Sequence, residues 1–499
     1  MTSPHSENWS LSDRLAWACA FRVAVASHQD EMIDLIARDV DKPAFEALMG
    51  DILPLLSACK WTEKRAGSLL SPRRLRHGGV FSLANKALLT RAPLGHVAII
   101  ATWNYPIQLL GIELLQALVT GNRVTVKPSE NAPRSQTLLL ELARDAGRTC
   151  NMPEGQLAWT PATREAGATL LKNDRFDHVV FTGSTSVGLA IAETLAPTMT
   201  ASTLELSGRD SAFVLDDADP ELAASAIFQG VDMNTGQTCM APRRALIDEK
   251  VYADFVRRIA SRAGAARPRP LINEQSARQC YELARDCQAR GGRSLAGVIE
   301  APEPDKNGRL RCLRPMVFAD CPRDVPLVEG RHFGPLLALI PVKNLDDALR
   351  IHDGVDQVLN TSVFTRNPAR VEGFRHRLRS TIITINDCLL PTIHPSVGLA
   401  GHGMSGWGIT KGEAGLLAMT RPIYTTQTIP LFRFSMEAVS PGIEKGMSKF
   451  IKFWYGASKV APRPATAALG ASAPQPHSQP HSQSQPRNSP EPVATSFAE

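Results

Sequence analysis

Apolar residues recur at spacings of three and four positions from Ser10 to about Gly67. Examples are Leu35, Ile36, Phe45, Leu48 and Met49. This is the period of an amphipathic α-helix, so the stretch is predicted to form helices that cover a sheet. The first helix is expected to begin at Ser10 or Ser12, because a side-chain oxygen there can cap the first turn.

Further along, the pattern changes to short β-branched and apolar runs. Val97–Ile100 and Arg123–Val126 read as strands, and the helical pattern Ile107–Thr120 lies between them, which makes a βαβ unit with parallel strands. A second strand is predicted at His178–Phe181, followed by the turn Gly183–Gly188 and a helix from about Val187 to Leu195. Two such units in series indicate a doubly wound sheet.

After Glu205 the alternation starts again and predicts a second α/β domain. Its predicted strands and helices, in chain order, are Ser211–Leu215, Pro220–Met233, Arg243–Asp248, Pro335–Ile340, Leu345–His352, Ser362–Phe364 and Thr381–Ile385. Beyond them, Tyr424–Ile429 reads as an isolated strand of polar and β-branched residues.

The composition is typical of a soluble globular protein. Of its 499 residues, 43% are hydrophobic and 21% are charged, which is enough apolar material for two sizeable domains. The net charge of +6 is spread over 55 basic and 49 acidic residues. No domain therefore carries the concentrated positive field of a nucleic-acid binder, and we expect no nucleic-acid partner.

Cysteine usage and the apolar segments favour a cytoplasmic location. The cysteines are odd in number and form no Cys-x-x-Cys pair, which fits a reducing compartment. The apolar run Leu15–Ala26 is preceded by Asp13 and Arg14 and interrupted by Arg22, so it reads as a helix and not as a targeting signal. The region Pro93–Gly121 contains too many polar residues for a membrane span.

Two C-terminal segments differ from the rest of the chain. Residues 436–456 form a basic amphipathic segment, and over the run Lys445–Lys459 lysines alternate with apolar and aromatic residues. Its helix is expected to pack onto the body of the protein or, alternatively, to make a peripheral membrane contact. Residues 457–499 are rich in Pro, Ser, Gln, Ala and His and are predicted to be disordered. We assign no metal site to His477 and His481 in this tail.

Cys239 is the first candidate for chemistry. It lies in a turn of small and amide side chains, Asn234-Thr235-Gly236-Gln237-Thr238-Cys239-Met240-Ala241-Pro242. Structural cysteines usually have apolar neighbours, so this setting favours a nucleophile, although a thiol taken alone is more often inert. Glu205 is the candidate base, and its flanking leucines predict a partly desolvated carboxylate with a raised pKa. Such a glutamate can alternatively pair with a basic residue.

The runs Asn234–Cys239 and Leu204–Arg209 resemble two signatures of the NAD(P)-dependent aldehyde dehydrogenase superfamily, Asn-x-Gly-Gln-x-Cys and Leu-Glu-Leu-Gly-Gly-Lys. Three more family motifs occur in the order the family requires, at Ala101–Pro106, Val126–Glu130 and Phe181–Gly188. The Trp-Asn-Tyr-Pro form and the Thr-Cys-Met-Ala-Pro run look most like the class 3 and coniferyl-aldehyde dehydrogenase branch. The resemblance covers about residues 60–435.

The resemblance implies an aldehyde dehydrogenase-like α/β fold. It has two doubly wound α/β domains, a Rossmann-like cofactor domain and a catalytic domain, plus an oligomerisation β-arm. The expected division is residues 1–204 for the NAD(P)-binding domain with its N-terminal helices, 205–398 for the catalytic domain, and 399–435 for a return segment and oligomerisation strand. The class 3 resemblance favours a homodimer, while tetramers also occur in the broader family.

The resemblance also implies the chemistry. Cys239 would add to an aldehyde, hydride would pass to a nicotinamide, and the resulting thioester would be hydrolysed by water that Glu205 activates. The Asn104 amide and the backbone N–H of Cys239 would stabilise the oxyanion. The alternative for Asn104 is a turn residue before Tyr105-Pro106.

The cofactor implied is NAD or NADP. Gly183, Ser184 and Gly188 bound a strand-to-helix turn whose backbone amides would attract a diphosphate. Lys127 and Glu130 match family residues that contact the adenosine ribose. The charge of Glu130 favours NAD because a 2′-phosphate would meet it, but class 3 relatives often accept both cofactors. No metal is expected.

Three positions depart from the family pattern. The motif Glu-x-Phe-Gly-Pro keeps Phe333 but has Arg331 where the carboxylate for the nicotinamide ribose belongs, a role that Glu329 could take through a bulge. Ser207 replaces a glycine, and the Gly398–Gly401 run lacks the family's phenylalanine. The alternative hypothesis is therefore a cofactor-impaired member, acting as a thiol esterase or as a non-catalytic interaction protein. The sequence does not identify the aldehyde.

Overall fold

The computed structural model describes residues 9–76, 85–428 and 440–456. The chain forms two compact units, Met1–Thr428 and Ile429–Glu499. The tail that the sequence predicts to be disordered, residues 457–499 with its two histidines, lies outside the described residues, as do residues 429–435 of the predicted return segment and Lys459.

The α-helices of the described residues are α1 (Leu11–Ser27), α2 (Gln29–Val40), α3 (Ala44–Ala47), α4 (Leu53–Leu70), α5 (Gln108–Val119), α6 (Pro133–Arg148), α7 (Arg164–Asn173), α8 (Thr185–Leu195), α9 (Pro220–Asp232), α10 (Glu249–Ala265), α11 (Glu274–Ala289), α12 (Pro326–Glu329), α13 (Leu345–Asp353), α14 (Ala369–Glu372), α15 (Gly412–Ala418) and α16 (Pro441–Tyr455). A π-helical turn, Leu48–Ile52, joins α3 to α4.

The strands are β1 (Arg73–Leu75), β2 (Asn85–Pro93), β3 (His96–Ile100), β4 (Arg123–Lys127), β5 (Leu157–Trp159), β6 (His178–Gly183), β7 (Ala201–Leu206), β8 (Asp210–Val214), β9 (Pro242–Asp248), β10 (Arg269–Pro270), β11 (Arg293–Ser294), β12 (Glu303–Pro304), β13 (Leu310–Leu313), β14 (Met316–Ala319), β15 (Leu336–Val342), β16 (Asn360–Phe364), β17 (Ile382–Ile385), β18 (Leu399–Ala400), β19 (Gly406–Trp407), β20 (Ile409–Thr410) and β21 (Thr420–Thr428).

The N-terminal helices form as the apolar period predicts. Ser10 caps α1, because its side chain accepts a hydrogen bond from the backbone N–H of Asp13 while the Asp13 carboxylate accepts one from the backbone of Ser10. The apolar faces of α1, α2 and α4 share one core cluster with α5, β3 and β4. These helices therefore cover one face of a sheet, as expected.

That sheet has six strands in the order β19-β7-β6-β3-β4-β5, and only β19 runs antiparallel to its neighbour. Both predicted βαβ units are confirmed, with α8 beginning at Thr185, two residues before the predicted start. Chain order reverses between β6 and β3, which is the switch point where ligands bind in doubly wound sheets.

The second sheet has seven strands in the order β11-β14-β15-β9-β8-β16-β17, again parallel except for the edge strand β11. Its strands and helices follow the alternation predicted after Glu205. The predicted boundary between residues 204 and 205 falls inside β7, which belongs to the first sheet. Glu205 is thus held by the first sheet and lies next to the start of the second.

The strand predicted near Tyr424 is not isolated, contrary to expectation. It is the second half of β21, which pairs antiparallel with β2 along its whole length, from Asn85 opposite Thr428 to Pro93 opposite Thr420. The partner lies more than three hundred residues earlier, so no local pattern could reveal the pairing. The sheet order β1-β2-β21 leaves β21 at an edge, and nearly all of its residues are exposed.

In the second unit, α16 forms where the basic amphipathic segment was predicted, and none of its residues is buried. Within the described parts of the chain, no helix combines the length and the apolar character needed to cross a bilayer.

Candidate active site

Four predicted site residues lie at the carboxyl ends of four neighbouring parallel strands. Glu205 is the next-to-last residue of β7, Gly183 ends β6, Asn104 follows β3, and Lys127 ends β4. Because β7, β6, β3 and β4 are adjacent in that order, parallel pairing brings these residues to one edge of the sheet. These residues are more than twenty positions apart in the chain, but they lie side by side at the ends of adjacent strands.

Cys239 reaches this edge from the second sheet, on the turn between α9 and β9. Asn234, Thr235 and Gly236 in that turn all have positive φ, at 52°, 55° and 67°. Left-handed conformations at consecutive non-glycine residues are strained and persist only where the surroundings fix them. At Gly236 even a Cβ would collide with the backbone of Gly334, so this position requires glycine.

Arg243 fixes the turn and was not identified from the sequence. Its guanidinium donates hydrogen bonds to the carbonyls of Gly236 at 2.9 Å, Thr238 at 2.9 Å and Gly334 at 3.1 Å, and it lies over the ring of Phe333. The side chain is only 1% exposed. An arginine doublet within an otherwise apolar strand is the signal that could have revealed it, because buried arginines need several acceptors.

The Cys239 thiol is partly buried, and its surroundings oppose ionisation. Burial raises its pKa to about 12, with further contributions from the charges of Glu205 and Asp210, while Arg243 acts in the opposite direction. At neutral pH Cys239 is therefore a thiol, and a base must remove its proton before it can attack a carbonyl. The backbone N–H of Gly208 donates a hydrogen bond to the Cys239 carbonyl at 3.1 Å, so the Cys239 turn lies against the end of the strand that carries Glu205.

Glu205 has the properties of such a base. It is 3% exposed, and burial raises its pKa to about 7, opposed by a hydrogen bond from Thr410 and by the charge of Lys411. Thr410 Oγ1 donates to Glu205 Oε1, whereas Oε2 has no hydrogen-bond partner among the described residues. The raised pKa agrees with the expectation from its apolar flanks, and Thr410 and Lys411 are partners that the sequence did not indicate.

Asn104 is 4% exposed and is tied to the same turn. Its side-chain Nδ2 donates to the Gln237 carbonyl at 3.2 Å. The backbone carbonyl of Asn104 accepts hydrogen bonds from Lys42 Nζ at 2.7 Å and Asn234 Nδ2 at 2.9 Å. An asparagine amide carries two N–H groups, so one remains for a substrate oxygen. This network goes beyond what a simple turn residue before Tyr105 would need.

The Lys42 side chain belongs to a fully buried ion pair. Its Nζ lies 2.6 Å from Asp51 Oδ2, both side chains are 0% exposed, and the ammonium group lies over the Tyr105 ring. Asp51 Oδ1 accepts hydrogen bonds from the backbone N–H groups of Ile107 and Gln108 at the start of α5. The pair therefore anchors the loop that carries Asn104. Nothing in the local sequence distinguishes these two charges from ordinary surface residues.

The residues expected to contact adenosine ribose form an ionic cluster at the end of β4. Lys127 Nζ lies 2.7 Å from Glu130 Oε2, and Arg164 Nε lies 3.0 Å from Glu130 Oε1. The pKa of Glu130 is lowered, because hydrogen bonds from Lys127 and Arg164 outweigh the effect of burial. The end of β4 therefore carries one carboxylate that can accept hydrogen bonds from ribose hydroxyls and two cations that can bind a 2′-phosphate. This combination fits NAD and NADP alike.

The start of α8 fits a diphosphate. Ser184 is its N-cap, accepting a hydrogen bond from the Val187 backbone N–H at 3.4 Å, and Ser184 itself is exposed. A Cβ at Gly188 would lie 2.6 Å from Leu206 on β7, so this glycine lets α8 lie close against the sheet. A Cβ at Gly183 would collide with the ring of Phe181 on the same strand. An open helix N-terminus at a switch point attracts a phosphate group.

The structure shows what surrounds the residues that depart from the family pattern near the expected nicotinamide position. Arg331 Nε lies 2.8 Å from Glu329 Oε2, so the carboxylate that could replace the missing one is already paired with a cation. Phe333 packs edge-on against Trp103 with ring centroids 5.9 Å apart. The Ser207 carbonyl accepts hydrogen bonds from Gln357 Nε2 at 2.5 Å and Ser405 Oγ at 3.1 Å. The fit to a dinucleotide is thus good at the adenosine and diphosphate positions and altered near the nicotinamide.

A narrow cavity of about 30 Å³ is lined by Met240, the residue after Cys239, and by Thr410, the hydrogen-bond partner of Glu205. Its walls are mostly apolar, and Leu399, within the run that lacks the family phenylalanine, is one of them. The other lining residues include Leu109, Ile112, Ile382 and Lys411. Within the described residues, no group of three or more histidine, cysteine or acidic side chains is arranged to hold a metal ion.

Comparisons with known proteins agree with this arrangement. The model of the aldehyde dehydrogenase family matches residues 2–424. A Pseudomonas aeruginosa protein described as a probable coniferyl aldehyde dehydrogenase is 30% identical over 419 residues, which cover 82% of this chain and 85% of the relative. Aldehyde dehydrogenase family 3 member A2 from Mus musculus is 29% identical over 413 residues, covering 81% of each chain. The class 3-like resemblance is confirmed.

Among solved structures, an NAD⁺ complex of a Bacillus cereus aldehyde dehydrogenase superposes with a TM-score of 0.77 at 24% identity, covering 86% of each chain. At that identity the likeness concerns the fold, and it confirms the predicted α/β architecture.

Proposed function

The chain belongs to the aldehyde dehydrogenase family, and on that premise we propose that Cys239, Glu205 and Asn104 are its catalytic residues. The protein is an oxidoreductase that converts an aldehyde to a carboxylic acid with NAD or NADP. The observation that supports the assignment is a contact between the two sheets: the backbone N–H of Gly208, just after the strand that carries Glu205, donates a hydrogen bond to the Cys239 carbonyl at 3.1 Å. This contact supports a nucleophile and a base that are far apart in sequence and act at one edge of the sheet.

The first role of Glu205 is to accept the thiol proton. With pKa values of about 7 for Glu205 and about 12 for Cys239, the carboxylate is available at neutral pH and the thiol is protonated. As the proton moves to Glu205, the Cys239 sulfur bonds to the aldehyde carbon and forms a thiohemiacetal. The Asn104 amide and the Cys239 backbone N–H stabilise the charge on the carbonyl oxygen.

When bound, the oxidised nicotinamide supplies the hydride acceptor. Lys127 and Glu130 would hold the adenosine ribose, Gly183, Ser184 and Gly188 the diphosphate, and Phe333 the nicotinamide side of the cofactor. The thioester left on Cys239 is then hydrolysed. Glu205 first passes the thiol proton to solvent and then takes a proton from the attacking water. As the C–S bond breaks, this proton returns to the Cys239 sulfur, and the carboxylic acid leaves.

The test is to follow reduced-nicotinamide absorbance with NAD or NADP and a panel of aliphatic and aromatic aldehydes. Wild-type protein should reduce the cofactor, while Cys239→Ala and Glu205→Gln should not. Both variants should still take up the cofactor, which is measured by calorimetry. Cofactor reduction that persists in Cys239→Ala would refute the assignment. Cysteine-dependent ester hydrolysis without any cofactor reduction would favour the cofactor-impaired alternative.

We also propose that the protein works as a homodimer through β21. Supporting this are its position at an open sheet edge and the exposure of Tyr424 to 64%, since an exposed edge strand is a template for pairing with another chain. Tyr424→Lys should lower the mass measured by light scattering, whereas Met199→Lys, at an exposed site elsewhere, should not. An unchanged mass in Tyr424→Lys would argue against this interface.

Peripheral membrane contact through α16 is a further proposal. The helix exposes Phe453, Trp454 and Tyr455 together with Lys445 and other lysines, which suits an anionic lipid surface. The protein should co-float with vesicles containing phosphatidylserine and not with neutral vesicles, and charge reversal of the lysines should abolish flotation. A cytoplasmic location is proposed alongside it, supported by the nine cysteines all being free thiols.

A further inference from the structure

Glu113 is a buried carboxyl group that the reaction above does not use. It lies in the middle of α5, a helix whose residues Leu109 to Val119 are all buried, and it is 2% exposed. Its hydrogen-bond partner is Thr182, whose Oγ1 donates to Glu113 Oε1 at 3.0 Å. No described cation pairs with it. A charged carboxylate in such a place would be costly, so the group is expected to be neutral.

The electrostatics agree and connect Glu113 to the proposed base. Burial raises the pKa of Glu113 well above its usual range, and the charge of Glu205 raises it further. Burial raises the pKa of Glu205 itself to about 7. Glu205 therefore ionises first, which leaves a protonated Glu113 beside a Glu205 carboxylate at neutral pH. A protonated carboxyl group has an O–H that needs an acceptor.

The fold brings the two carboxyl groups to the same face. Thr182 on β6 lies opposite Glu205 on β7 in the parallel register, so the two side chains project to one side of the sheet. Gln116, one turn after Glu113 on α5, accepts a hydrogen bond from the backbone of Lys411 at 3.0 Å. The helix, the strand pair and the loop after β20 thus converge on Glu205, whose buried Oε2 lacks a hydrogen-bond partner in the described structure.

We propose that Glu113 is a positioning residue for Glu205: its neutral carboxyl O–H donates a hydrogen bond to Oε2 of Glu205 and keeps the buried base ionised. The inference rests on the proposed function, in which Glu205 is the base. Thr410 holds one oxygen of Glu205, and Glu113 would hold the other. Glu113 touches neither substrate nor cofactor in this role.

The other titratable groups that face Glu205 define what a pH profile should contain. Lys411, on the loop after β20, has its pKa lowered to about 8 by burial, opposed by the Glu205 charge, and Cys239 on the opposite turn has its pKa raised to about 12. Both groups have a higher pKa than Glu205. A change at Glu113 should therefore move the acidic limb of the profile, which reports Glu205, and leave the alkaline limb in place.

The experiment compares Glu113→Leu with Glu113→Gln. Leucine removes the donor, whereas glutamine keeps a neutral N–H donor of nearly the same size. The pH dependence of kcat is measured for aldehyde oxidation and, without any cofactor, for p-nitrophenyl acetate hydrolysis. Glu113→Leu should move the acidic limb up by about one pH unit, as expected for one lost hydrogen bond to a charged group, and Glu113→Gln should not. Leu114→Ala, on the same helix, is the control for a purely structural change.

A second measurement does not depend on the leucine variant folding. The infrared difference spectrum between wild type and Glu113→Gln at about pH 8 should contain the C=O band of a protonated carboxyl group. Its absence would overturn the inference, as would an acidic limb that Glu113→Leu leaves unmoved. Either of these two outcomes, together with an active wild type and an inactive Glu205→Gln variant, would refute the role of Glu113 and leave the proposed function intact. A wild type inactive in both assays would overturn the proposed function and this role together.

Discussion

The buried Lys42–Asp51 pair is expected to be essential for both stability and turnover. We consider two substitutions of similar volume, Asp51→Asn and Lys42→Met, and their combination. The ion pair is 2.6 Å long with both side chains 0% exposed, and Lys42 also holds the Asn104 carbonyl at 2.7 Å. Removing either charge leaves the other one buried without its counter-ion.

The two single substitutions are expected to lower the free energy of unfolding by different amounts. Asp51→Asn keeps an oxygen for the amides at the start of α5 but leaves the Lys42 cation uncompensated, which costs about 3–5 kcal/mol. Lys42→Met leaves the Asp51 carboxylate facing two backbone N–H groups, at 3.1 and 3.3 Å, and the positive end of the helix dipole. These groups still stabilise the carboxylate by up to about 2 kcal/mol. Lys42→Met should therefore lower the free energy of unfolding by only about 2–3 kcal/mol. The double variant, with no buried charge, should cost clearly less than the sum.

Urea unfolding, followed by tryptophan fluorescence, gives the free-energy differences from the shift in midpoint at unchanged slope. In parallel, kcat is measured on the folded variants. Lys42→Met should lower kcat by up to about 100-fold, because small displacements of a catalytic group are costly and Asn104 loses its anchor. Single variants that unfold at the wild-type urea concentration, or a double variant whose cost equals the sum, would refute the coupling argued here.

Three further predictions concern the reacting groups themselves. Asn104→Ala should lower kcat by about 10²–10³-fold while alkylation of Cys239 by iodoacetamide continues at the wild-type rate; a smaller loss would mean that the amide does not bind the oxyanion. Since Glu205 must be ionised and its pKa is raised to about 7, kcat should fall about tenfold per pH unit below pH 7, and a flat profile down to pH 5 would exclude it as the base. Gly236→Ala should lower the unfolding free energy by about 1–3 kcal/mol and distort the turn, because φ is 67° there and a Cβ would meet Gly334; retention of full thiol reactivity and stability would contradict that.

Much of the architecture was predictable from local pattern. Strand periods predicted three of the six strands of the first sheet and five of the seven of the second to within two residues, as well as the Ser10 cap, because these features depend on neighbours a few positions apart. The motif around Cys239 and the apolar flanks of Glu205 likewise indicated a nucleophile and a base with a raised pKa. The pairing of β21 with β2 was missed, since strand partners are set by contacts across the whole chain and not by the strand's own composition.

The sequence by itself determined which chemical groups are present and which elements carry them. It could not determine what surrounds each group, because burial and charge coupling depend on residues brought together by folding. Arg243 clamps the turn of Cys239, Lys42 holds Asn104, and Glu113 lies near Glu205 only because parallel strands and α5 converge at one edge. The same three side chains in an extended chain would be solvated and inert. Tertiary structure decided their role by removing them from water, where an unpaired polar group is costly and a paired one is held in place.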